Sequence, residues 1–281
     1  MNFTKMHGSG NDYVFIDARG IEEQKNWSSL AIAISDRHFG VGSDGIILAA
    51  HSENADVRMM MFNSDGSQGE MCGNGIRCLV GFALAHEIIP SHLSPVTVDT
   101  LAGIREVTPI WNGHEVTRAK VSMGKPIMTT INIPANAPDY EMLIDHSLVV
   151  GGMTFKITCV SMGNPHAVAF LDSPVDDFPL EKIGPLVETH PLFPQKINFE
   201  IANVITQNLI KARVWERGSG LTMACGSGAC AIAVAGFSKT ITSENVSISL
   251  PGGQLEVSWD GCGEVVLDGP VQRVFDGEWL I

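Results

Sequence analysis

Cys72 and Cys225 each open the same short phrase, Cys-Gly-Asn-Gly (72–75) and Cys-Gly-Ser-Gly (225–228), and they stand 153 residues apart. The same shift carries Gly10-Asn11 onto Gly163-Asn164, Asn63 onto Glu216 and Gly45 onto Asn198. One constant offset relating four separated places marks a duplicated unit in which each copy brings one thiol to an equivalent position. Two thiols on opposite sides of one carbon can invert a stereocentre. One removes a proton from one face, and the other delivers a proton to the opposite face.

Each phrase leads into an apolar run of helical character, Ile76 to His86 and Ala229 to Phe237. A helix that is apolar nearly all round must be buried on most sides. Its first turn leaves backbone N–H groups unpaired and carries partial positive charge. A carboxylate can therefore sit on the N–H groups of Gly73 and Asn74 and, from the other copy, on those of Gly226 and Ser227. The same helix end favours thiolate, which predicts thiols drawn below the usual ~8.5. Cys78, Cys159, Cys230 and Cys262 lack this context and read as ordinary buried cysteines.

The surrounding elements repeat as well. Phe3 to Asp17 reads as strand, turn and strand. Ser28 to His38 reads as a helix with Leu30, Ile34 and Phe39 on one face and Ser28 or Ser29 as cap. Ile46–Ala49 and Val57–Phe62 read as strands, the second buried enough to carry Met59, Met60 and Met61 in succession. In the second copy Phe155–Val160, Ala167–Leu171 and Leu209–Trp215 read as strands. Residues 126–152, rich in Pro, Asn and Asp, read as the crossing between copies. The expected architecture is α+β: two pseudosymmetric duplicated domains, 1–127 and 128–281. Each wraps strands around a central buried helix, the last strand crosses back to the first domain, and the active site lies in the cleft between them.

Composition narrows the partners. A formal net charge of −13 argues against nucleic acid and anionic membrane surfaces. The N-terminus lacks the apolar core of a signal peptide, and no apolar run reaches the ~18–20 residues of a membrane helix. A soluble cytoplasmic protein with reduced thiols is expected. Gly40-Val41-Gly42-Ser43-Asp44-Gly45 matches Gly-x-Gly-x-x-Gly, but it follows a helix and precedes a strand, the reverse of a dinucleotide site. No second His or Cys stands at ligand spacing from His166, so no metal is expected. Asp176-Asp177 and Glu22-Glu23 read as solvated charge.

The residues Met71-Cys72-Gly73-Asn74-Gly75-Ile76-Arg77-Cys78, Gly163-Asn164-Pro165-His166, Glu216-Arg217-Gly218 and Thr222 through Ala229 resemble the diaminopimelate epimerases. The resemblance runs over the whole chain from His7-Gly8-Ser9-Gly10-Asn11-Asp12. It implies a cofactor-independent enzyme interconverting LL- and meso-2,6-diaminopimelate, on the route to lysine and peptidoglycan, acting as a homodimer on a small amino-acid substrate. It makes Cys72 and Cys225 the acid/base pair, with His166 and Glu216 helping to set the thiols. Gly73, Asn74, Gly226 and Ser227 hold the reacting carboxylate. Asn11, Asn63, Asn164, Asn198, Glu216 and Arg217 recognise the rest of the substrate. At Gly45 some members carry a glutamine that reaches substrate, so Gly45 is left out of the site. Proline and hydroxyproline racemases resemble the chain in their paired cysteines but carry histidine where Asn74 stands. A binding protein with a reversible Cys72–Cys225 disulfide is the alternative from another class.

Overall fold

The computed structural model describes residues 1–280 apart from 22 and 24. It forms two compact units, Met1–Ser122 with Asp268–Ile281, and Met123–Leu267.

The first unit opens with an antiparallel hairpin, β1 (Asn2–Gly8) and β2 (Asn11–Asp17). Its two turn residues, Ser9 and Gly10, both take positive φ, as the right-handed twist of paired strands favours. Helix α1 (Trp27–Ser35) is capped by Asn26, whose side chain accepts from Ser29 N–H. The cap thus lies two residues upstream of Ser28, the first of the predicted serines. The helix stops before Asp36, whose carboxylate takes the His38 and Phe39 N–H groups. Phe39 is therefore turned out, 90% exposed, instead of sharing the Leu30–Ile34 face.

Strand β3 (Gly45–Ala50) runs parallel to β2 and antiparallel to β4 (Val57–Asn63). Along β4, Met59 and Met61 are buried and Met60 only half so, the ordinary two-residue alternation. Short β5 (Gln68–Gly69) leads to α2 (Gly73–Ala85), which starts three residues before the predicted run. Every residue of α2 from Gly73 to Leu84 is buried, against β1, β2, β3, β7 (Arg105–Asn112) and β8 (Glu115–Ser122). Strand β6 (Val96–Asp99) links β4 to β7. Each fully buried Leu, Val or Phe of such a helix contributes about 1.5–3 kcal/mol.

The second unit repeats this plan. β9 (His146–Val150) pairs with β10 (Met153–Ser161), and β10 with β11 (Pro165–Phe170). After α3 (Leu180–Glu188), β12 (Asn198–Thr206) runs parallel to β11 and antiparallel to β13 (Leu209–Glu216). β14 (Gly220–Thr222) leads to α4 (Gly226–Ser238), followed by the β15 (Asn245–Leu250) and β16 (Gly253–Ser258) hairpin. The repeat extends to register: Tyr13 stands opposite Gly45, and His166 opposite Asn198. Residues 126–152 are not a bare crossing. They give Ile133, Leu143, Leu148 and Val150 to the second core, beside Phe155, Ile157, Leu180 and Phe199.

The chain then returns to the first unit. β17 (Val266–Pro270) carries Asp268, which Arg118 of β8 binds at 2.9 Å. β18 (Gln272–Glu278) pairs antiparallel with β1. Asp176 and Asp177 are exposed, Asp176 pairing with Lys211. Glu22 lies outside the described residues.

Candidate functional site

Both thiols occupy the N-cap of a buried helix in extended backbone, with φ/ψ of −127/120° at Cys72 and −120/118° at Cys225. Each sulfur accepts a backbone N–H three residues on, from Gly75 at 3.3 Å and from Gly228 at 3.4 Å. A cysteine thus does what serine or aspartate commonly does at a helix start. The remaining first-turn N–H groups have no intrahelical acceptor. Both Cys72 and Cys225 are free thiols.

The last glycine of each phrase has a steric cause in the sheet beneath it. A Cβ on Gly75 would lie 2.4 Å from Ile47 Cδ1, and one on Gly228 would lie 2.9 Å from Glu200 Oε1. Ile47 and Glu200 are themselves related by the offset of the duplication.

Around Cys72, the first unit gathers hydrogen-bond donors. The thiol donates to Asn11 Oδ1 at 3.1 Å, and Asn11 Nδ2 is held by Asp44 at 2.7 Å. Tyr13, buried, bonds both Cys72 and Asn11 through its hydroxyl. Burial first, then the thiol beside it, push that phenol well above its usual range, so it remains a proton donor. Arg77 is fully buried and donates to Gly73 O at 2.9 Å and to Asn74 Oδ1 at 2.8 Å. Asn74 is 1% exposed, with its side-chain oxygen on Arg77 and its amide nitrogen 3.4 Å from Asn11 Oδ1. Asn63 stands at the end of β4 with its amide on Ser67 Oγ at 3.0 Å, and no bond joins it to Cys72.

Around Cys225, the second unit gathers carboxylates. Glu216 closes β13, accepts from Thr222 Oγ1 at 2.6 Å and bonds Cys225. Ser227 Oγ lies 3.5 Å from the sulfur. His166 and Glu200 are both fully buried, with Nδ1 2.7 Å from Glu200 Oε1 and Nε2 3.0 Å from Asn164 Oδ1. Burial pushes the carboxyls of Glu216 and Glu200 up. The Cys225 thiol is raised well above its ordinary value, chiefly by burial and then by the charges of Glu216 and Glu200. The expected downward pull of the helix end is thus reversed at Cys225, where desolvation and two carboxylates outweigh one partial charge.

Asn198 is occupied inside the unit. Its Nδ2 donates to Pro165 O and its Oδ1 accepts the Arg217 N–H, each at 2.8 Å. The second of these bonds holds the backbone at Arg217. Arg217 is exposed, and among the described residues no carboxylate lies within salt-bridge distance of its guanidinium. It is not half of a surface ion pair with Glu216.

Tyr13, Asp44, Arg77 and Glu200 were not among the sequence candidates. The offset of 153 holds the signal for two of them, since it lays Tyr13 on His166 and Ile47 on Glu200. Arg77 is announced only by a charge inside an apolar run.

A family model described as diaminopimelate epimerase matches residues 3–129 and 158–274. A diaminopimelate epimerase of Acetivibrio thermocellus is 46% identical over 279 residues, covering 99% of this chain and 98% of that protein. One of Methanococcus maripaludis is 44% identical, covering 99% of each. Among solved structures, a Bacillus anthracis phenazine biosynthesis protein of the PhzF family aligns with a TM-score of 0.71 at 15% identity, covering 100% of this chain and 99% of that one. A hydroxyproline epimerase of Agrobacterium vitis aligns at 0.72 and 12% identity, covering 99% and 90%. These structures share the two-part α+β fold, while the sequence relatives share far more. The duplicated thiol phrases and the full-length similarity lead to one conclusion: the chain belongs to the diaminopimelate epimerase family.

Proposed function

We propose that this protein interconverts LL- and meso-2,6-diaminopimelate by proton exchange between Cys72, Cys225 and one α-carbon. The observation that carries the reading is the repeated cap: two thiols, each at the head of a buried helix and each accepting the N–H three residues on. In a turnover, the thiolate of one cysteine takes the α-proton while the thiol of the other delivers its proton to the opposite face. The two sulfurs end with their protonation exchanged. The N–H groups of Gly73 and Asn74, and of Gly226 and Ser227, hold the α-carboxylate and stabilise the charge that develops on it.

Tyr13 and the Gly75 N–H surround Cys72 with donors, which suits a sulfur carrying charge. Carboxylates surround Cys225, which suits a sulfur carrying its proton. Arg217 grips the distal carboxylate through two parallel N–H bonds. Asn11, Asn63 and Asn164, with Glu216, serve the amino groups and the substrate backbone. As the family resemblance implies, the reaction needs no cofactor, the enzyme is a cytoplasmic homodimer, and its product feeds lysine and peptidoglycan synthesis. Among the described residues, no helix is long and apolar enough to cross a membrane.

Proton NMR with LL-diaminopimelate in heavy water tests the reading, using reduced protein without pyridoxal phosphate. Loss of the α-proton signal together with growth of the meso isomer is expected, and Cys72→Ser should lower the rate by about 10²–10⁴-fold. A substrate left protonated and unchanged would overturn it, and exchange of proline or hydroxyproline in the same assay would move the activity to that class.

A further inference from the structure

The two copies orient their shared asparagine in different ways. In the first, Asp44 takes the Asn11 amide N–H directly at 2.7 Å, so the Asn11 oxygen faces Cys72. In the second, Asn164 gives its oxygen to His166 Nε2 at 3.0 Å. Its amide nitrogen has no bonded acceptor among the described residues and is left as a free donor. For Nε2 to meet an oxygen, that nitrogen must carry hydrogen. The other ring nitrogen, Nδ1, faces Glu200 Oε1 at 2.7 Å. Glu200 shares the buried sheet face with His166 and Asn198 and lies under the first turn of α4, where only a glycine at 228 leaves room for it. The equivalent place in the first copy holds Ile47, which cannot bond a ring.

We propose that Glu200 is a positioning residue that acts through His166 to hold the Asn164 amide with its N–H2 turned out to the substrate. The proposal rests on the two-thiol reading of the site and adds to it a hydrogen-bonded relay of three residues. Glu200 touches neither thiol nor substrate. It fixes the imidazole, and the imidazole fixes the amide.

The test has two arms. The first needs no substrate: 15N NMR of the imidazole nitrogens, with His166→Asn supplying the assignment. Nε2 of His166 should carry hydrogen in the folded enzyme, and a bare Nε2 overturns the relay whether or not the protein epimerises diaminopimelate. The second arm is kinetic. Glu200→Ile places in the second copy the residue the first copy tolerates. It should raise KM about tenfold, the readout of a misplaced Asn164 amide, separately from the change in kcat that follows from removing a charge near Cys225. Glu200→Gln, whose side chain keeps both an oxygen and an amide N–H to bond Nδ1, should restore KM to within about threefold of wild type. On an Asn164→Ala background Glu200→Ile should add less than about twofold. Full additivity, an unchanged KM in Glu200→Ile, or a failure of Gln to rescue would each overturn the proposal. Should Glu200→Ile not fold, His166→Leu removes the ring at the middle of the relay and should raise KM about tenfold likewise. If the wild type fails to turn over diaminopimelate, the functional reading falls and the NMR arm still decides the ring.

Discussion

Glu216 sits at the end of β13, bonded both to Thr222 and to the Cys225 thiol. Its negative charge disfavours a second one on the sulfur, and so contributes to the raised Cys225 value. The sign of a substitution follows. Glu216→Gln removes the charge, lowers the thiol's pKa and increases the thiolate fraction at any pH below it. Thiolate is the species that alkylates, so at pH 8 the labelling of Cys225 by iodoacetamide should be about three- to tenfold faster in Glu216→Gln, read by peptide mass spectrometry. An unchanged or slower rate would show that burial alone governs this sulfur. Cys225 and Cys72 could both be named from their phrases, because a helix start with two glycines is a local pattern. Of the residues that make the two sulfurs unlike each other, Glu216 was named through the family resemblance and the others were not. Tyr13 and Glu200 act across strands, and nothing near them in sequence marks them.

Among the elements, β3 shows why Gly45 is glycine. A Cβ there would lie 2.2 Å from Phe62 O on the paired strand β4, and 3.1 Å from the Asn63 Cα. Backbone cannot step aside as a side-chain tip can. Gly45→Ala should therefore cost about 1–3 kcal/mol, visible as a lower urea midpoint at unchanged slope, and a midpoint at or above wild type would contradict this packing. The same contact explains why no longer side chain reaches a substrate from this position. Most elements were legible from apolar spacing, with ends off by a few residues where a cap decided them, as Asn26 and Asp36 do for α1. Helix α3 was not read, because Pro185 and two glutamates break up a nine-residue stretch. Yet α1 and α3 obey the offset: Trp27–Ser35 shifted by 153 is Leu180–Glu188. The repeat was a stronger guide than the local pattern and was not applied far enough.

On the scale of the whole molecule, the duplication leaves one asymmetry of connection. The second unit is a single stretch of chain, Met123–Leu267, whereas the first is closed by residues from the far end. β18 pairs with β1 from Asn2↔Glu278 to His7↔Gln272, and Phe275 packs edge-on against Phe3 with ring centroids 5.9 Å apart. Truncation after Val271 should unpair one side of β1. Hydrogen exchange should then show protection lost across β1 and β2 while β10–β13 keep theirs, and unchanged protection in β1 would refute this division of labour. The crossing of the last strand back to the first domain was among the expectations, although the strand 272–278 has no special sequence character. It follows from which edge is left open.

The returning strand also sets an order of events during synthesis. A ribosome releases residues 272–278 after the whole of the second unit, so the unit that comes first in the chain is completed only once the other has emerged. Until then β1 presents an uncovered edge, the kind that invites pairing with another chain. The contiguous unit, already emerged in full, can fold while its predecessor waits. The copy that is first in the gene is thus the last to be finished.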